Sequence, residues 1–115
     1  MNVNEAVVMA LKIFGDPVVA VEYIEPQAVE RPDRYYEFSI NTYGVNFAND
    51  EPTHEMALVH VHFHCPKDYD SCERVIQTKK ALFDNGFTWP EAINASDKDG
   101  QHIVFDCKFL KGVSD

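Results

Sequence analysis

Three histidines alternate along one short stretch, His60-Val61-His62-Phe63-His64, and this is the most chemically suggestive run in the chain. On a β-strand, side chains two apart leave the same face, so the three imidazoles line up over about 13 Å of pleat. Adjacent members have the H-x-H spacing that holds zinc or copper on sheets, but a four-residue span is too long for all three to share one ion. His102 and Asp106 lie at alternate positions of a later strand pattern and complete such a site if the two strands are neighbours. The competing reading is a polar sheet face turned to water or to a partner subunit. We adopt it because no second ligand cluster accompanies the histidines, and we expect no bound metal and no cofactor.

The remaining candidates are weaker. Cys65 and Cys72 are separated by six residues across a strand–helix junction and lack the spacing of zinc modules. A Cys65 nucleophile activated by His64 fails on geometry, since successive strand residues face opposite ways. There is no nucleophile elbow, phosphate loop, dinucleotide fingerprint or calcium loop, and Asp97 and Asp99 are placed to shape a turn. The expectation is a protein that is not an enzyme.

The elements that position these residues follow from periodicity. Val3, Val7, Ala10, Leu11 and Phe14 share one helical face, with Asn2 as N-cap and Gly15-Asp16-Pro17 as the stop. Residues 18–24 (VVAVEYI) read as a strand, followed by a connection bracketed by Pro26 and Pro32. A second strand covers residues 35–43, with Tyr36, Phe38 and Ile40 on one side and Glu37, Ser39 and Asn41 on the other. Residues 44–53 (GVNFANDEPT) read as a long exposed loop with Phe47 near its tip.

The third strand, residues 55–65, turns Ala57, Val59, Val61, Phe63 and Cys65 to one face and Met56, Leu58 and the histidines to the other. A second helix is expected over residues 71–85, with Asp70 and Glu73 at capping-box spacing and an inward stripe of Cys72, Val75, Ile76, Lys79, Leu82 and Phe83. Phe87 and Trp89 are placed to pack under the connection that follows. The turn DKDG leads into a last strand, residues 102–110. The order α-β-β-β-α-β predicts an α+β fold: an antiparallel sheet of about four strands with two helices on one face, one domain over residues 1–115.

Composition bounds the partners. Nineteen acidic against ten basic residues give a formal charge of −9, which disfavours stable DNA or RNA binding and keeps the chain soluble. Three cysteines, all assigned to inward faces, read as small core residues of a chain folded in a reducing cytoplasm. No signal peptide and no membrane-spanning run is apparent.

The whole pattern resembles the small phage tail-terminator or tail-completion proteins. The likeness covers roughly residues 3–110 and rests on the aromatic strand YYEFSINTYG, the strand LVHVHFHCP, the helix ERVIQTKKALFDNGF and the closing strand QHIVFDCKFL. It implies a structural protein of a phage or prophage, made in the host bacterial cytoplasm and carried in the virion tail. It further implies a homo-oligomeric ring, commonly hexameric in such families, that meets tail-tube and head-completion proteins while DNA passes through without stable binding. An acidic lumen fits that passage, because it repels phosphates. The expected oligomer or partner interface comprises Phe47, Asn49, Asp50 and Glu51 of the loop and His60, His62 and His64 of the strand; the alternative is a metal-binding protein or metalloenzyme that uses the His60, His62 and His64 face.

Overall fold

The computed structural model describes residues 2–20, 33–48 and 51–112. Helix α1 (Val3–Leu11) is capped by Asn2, whose side-chain oxygen accepts from the Glu5 N–H at 2.8 Å. Val3, Ala6, Val7, Ala10 and Leu11 are buried, one stripe at spacings of three and four. A 3₁₀ turn (Lys12–Phe14) follows and ends at Gly15, whose φ of 76° suits a residue without a Cβ.

Among the described residues, five strands form one sheet in the order β1-β2-β3-β5-β4. They are β1 (Val18–Ala20), β2 (Tyr35–Ala48), β3 (Glu51–Cys65), β4 (Glu91–Asn94) and β5 (Gln101–Gly112). The sheet is mixed, which corrects the purely antiparallel expectation: β1 runs parallel to β2, pairing Val18 with Tyr36 and Ala20 with Phe38. The other three pairings are antiparallel. Residues 21–24 of the first strand reading lie outside the described residues.

Two further differences concern length and number. The segment read as a loop is instead strand on both sides, with Val45 opposite His54 and Phe47 opposite Pro52. Its polar composition hides this because backbone pairing with the neighbour, rather than an apolar stripe, defines the ladder there. At about 3.4 Å per residue, the fifteen residues of β3 account for a molecule 53 Å long. β4 was not anticipated, because four residues at a sheet edge carry little pattern of their own; it forms by pairing Glu91 with Asp106 and Ile93 with Val104.

Helix α2 (Cys72–Asp84) packs with α1 over one face of the sheet. The core beneath them contains Tyr36, Phe38, Val59, Val61, Phe63, Ile103, Phe105, Leu11 and Leu82. The buried side of α2 is not the expected stripe. Thr78, Ala81 and Leu82 are buried and Val75 partly so, while Cys72, Ile76 and Phe83 are exposed. Two polar residues on the inward side misled the phase, and each has a partner that makes burial tolerable. Thr78 Oγ1 hydrogen-bonds the Tyr36 hydroxyl at 2.8 Å. Arg74 donates to Asp16 at 2.6 Å and lies over the rings of Phe14 and Phe63. Burial pulls the Arg74 guanidinium down, but hydrogen bonds with Asp16 and Tyr36 outweigh it and hold the group above its ordinary range.

The capping box is absent. Asp70 accepts from the Cys72 N–H at 3.2 Å, and Ser71 donates instead to Gln101 at 2.7 Å. The Gln101 amide in turn donates to the carbonyls of Pro66, Lys67 and Tyr69, fastening the loop before α2 to the start of β5. Phe87 is buried against Phe109, whereas Trp89 is half exposed with its ring edge-on to Phe83. The turn before β5 forms as expected: Asp97 accepts from the Asp99 N–H at 2.8 Å.

Candidate functional site

The alternation that buries Val59, Val61 and Phe63 under the helices forces His60, His62 and His64 onto the opposite, outer face. The antiparallel register then decides their neighbours. β3 lies between β2 and β5, so His62 stands opposite Glu37 on one side and Val104 on the other. His60 stands opposite Ser39 and Asp106, and His64 opposite Tyr35 and His102. Strands β3 and β5 are therefore neighbours, as the completion of a site by His102 and Asp106 required.

Each imidazole has a specific partner. His60 Nδ1 and Asp106 Oδ1 are 2.5 Å apart, and His64 Nε2 lies 3.1 Å from Glu37 Oε1. His62 Nδ1 faces His102 Nε2 at 2.7 Å, so one ring donates and the other accepts. The rings also stack: Tyr35 on His64 with centroids 4.6 Å apart, His64 on His102 at 4.3 Å, and His62 on His102 at 5.0 Å. Burial lowers the pKa of His62, and the neighbouring His102 lowers it further, against a weaker upward pull from Glu37. Among the described residues, no three His, Cys, Asp or Glu side chains converge as a metal-binding group. One nitrogen of each of these four imidazoles points at a carboxylate or at another ring.

Glu37 is the member that sequence reading assigned to a polar side without a role. It is buried, at 7% exposure, beneath His64. The signal was present in the parity of β2, but pairing Glu37 with the histidines needs the hairpin register, which the loop reading of residues 44–53 did not supply.

The other half of the expected interface is elsewhere. Phe47 and Glu51 lie in the ladder near the end of the β2–β3 hairpin, opposite Pro52 and Ala48. Asn49 and Asp50 lie outside the described residues. From Pro52 to His60 is eight positions, about 27 Å along an extended strand, so the hairpin end and the histidine tier are separate regions. Between them Tyr43, Met56 and Leu110 occupy one apolar cross-strand row, and in the next Leu58 stands between Asn41 and Lys108. Tyr43 and Leu110 are each about half exposed.

The cysteines offer no reactive site on the core side. Burial raises the Cys65 thiol pKa and, together with Asp106, pushes Cys107 up to about 12, which keeps both protonated near neutrality. Cys72 is exposed, contrary to its inward assignment. Among the described residues, no helix is long and apolar enough to cross a membrane.

No family model matches the chain, and no curated protein matches it significantly.

Proposed function

We propose that the chain is a non-enzymatic assembly protein that associates through the outer face of its sheet. The proposed setting is a phage or prophage tail, where copies form a terminator ring at the end of the tail tube and meet head-completion proteins. One observation carries the reading. Both helices cover the same face of the sheet, while the other presents an ordered tier of imidazoles beside an apolar row of Tyr43, Met56 and Leu110. Exposed aromatic and aliphatic groups of this kind, bordered by polar residues, are typical of surfaces that meet another protein. The formal charge of −9 is compatible with a ring that lets DNA pass without gripping it.

The test is the mass of the protein in solution across a wide concentration range, with and without tail tubes, together with electron microscopy of the mixture. Rings, or a mass that rises with concentration, are expected. A protein that stays monomeric at high concentration and with tubes present would refute the proposal. The metal-binding reading draws on the facing nitrogens of His62 and His102. Elemental analysis of untagged protein decides it, and a stoichiometric metal would favour it over assembly.

A further inference from the structure

Four histidines, His60, His62, His64 and His102, form one tier on the outer face, and among the described residues two carboxylates stand against two of them; this imbalance has a consequence. Asp106 is engaged by His60 and Glu37 by His64. His62 and His102 are left to each other, nitrogen to nitrogen at 2.7 Å. Such a contact is a hydrogen bond only while at least one of the two facing nitrogens lacks a proton. With both rings neutral, or with one imidazolium, a donor meets an acceptor. With both protonated, two N–H groups and two positive charges meet, and the rings must part.

We infer that the His62–His102 pair is a proton-operated release for association through the outer face: it accommodates one added proton but not two, and the second drives copies of the chain apart. The inference rests on the assembly reading given above. The groups around the pair are Tyr35 and Glu37 on β2, His60 and His64 on β3, Asp106 and Lys108 on β5, and Glu91 on β4. Asp33, Asp97 and Asp99 line the open groove at the His64–His102 end. These acids favour the first proton. The second arrives beside an imidazolium already present, with His64 stacked against His102 and His60 close by on the same strand. The downward shift of the His62 pKa by burial and by His102 agrees with this order.

The consequence for association follows from solvation. Charge added to a surface that must shed water against a partner disfavours the contact more than the same charge left in solvent. Parting the rings also disturbs the stack from Tyr35 through His64 to His102, so the surface loses its shape as well as its neutrality.

The experiment combines sedimentation of the full chain between about pH 8 and about pH 5, at constant ionic strength, with histidine-resolved NMR titration of dilute protein. For the unaltered protein, association weakens by about tenfold or more on acidification. His102→Gln keeps a hydrogen-bonding group but cannot take up a proton; it blunts that loss and raises the titration midpoint of His62. Equal acid sensitivity in both proteins would overturn the release, and an unmoved His62 midpoint in the variant would overturn the coupled pair itself. A chain monomeric at every pH that still shows coupled titration would sink the assembly reading and the release with it, leaving the paired histidines as a property of the monomer.

Discussion

The inner and outer faces of β3 are built from the same fifteen residues, yet they are organised by different physics. On the inner side Ala57, Val59, Val61 and Phe63 are fully or almost fully buried against two helices, and what matters is volume and contact. On the outer side the rings of His60, His62 and His64 are each held by a direction: nitrogen to carboxylate, nitrogen to nitrogen, plane to plane. The inner face therefore sets whether the chain folds, and the outer face is the one we propose for association. A side chain removed from the first should be felt in stability, and one removed from the second in association.

The sharpest way to break this division is at Phe105, fully buried on β5 between β3 and β4. Phe105→Ala should cost about 3–5 kcal/mol in denaturant unfolding. A loss below about 1 kcal/mol would mean that the helices do not close over this face. Next is Arg74→Met, which leaves the Asp16 carboxylate without its closest partner. Arg34 lies within 3.5 Å of Asp16 and softens the effect, so about 2–3 kcal/mol is expected from thermal or denaturant melts. Tyr36→Phe removes the hydroxyl that Thr78 bonds inside the core, for a loss of about 1–2 kcal/mol.

Outer-face changes should be smaller in stability. The His60–Asp106 pair is about two-fifths exposed on each side, so His60→Ala should move unfolding by less than about 1 kcal/mol. The same variant should weaken self-association measurably by sedimentation. A stability loss as large as that of Phe105→Ala would erase the distinction between the faces.

The pH dependence of unfolding sharpens the comparison without mutation. His62 has a folded-state pKa below its unfolded value, so the unfolded chain binds the extra proton more readily. Stability therefore falls as the pH drops through and below the ordinary histidine range, until the folded protein also takes the proton. His62→Gln should flatten that part of the curve, and an unchanged slope would show that His62 is not its source.

Sequence alone revealed what depended on local pattern. The alternation along β3 assigned both faces correctly, because each buried residue there is apolar and the three histidines all share the other parity. The cap at Asn2 and the stop at Gly15 were equally legible, since their partners lie within one helical turn. What failed depended on distant partners. Arg74 and Thr78 look like solvent-facing residues until Asp16 and Tyr36 are brought to them across the core. β4 exists because β5 offers it an edge, and the hairpin end is strand because its two halves pair. Glu37 joined the histidines only once register was known.

The position of β3 between β2 and β5 also governs time. Its pairing with β2 joins segments adjacent in the chain, but its pairing with β5 must wait until a helix, a loop and an edge strand have been synthesised. Contacts between remote segments are slow to form. During that interval the histidine-bearing strand has a bare edge, able to pair with the same strand of another nascent copy. Refolding should accordingly be slow for so short a chain, with yield falling steeply as protein concentration rises.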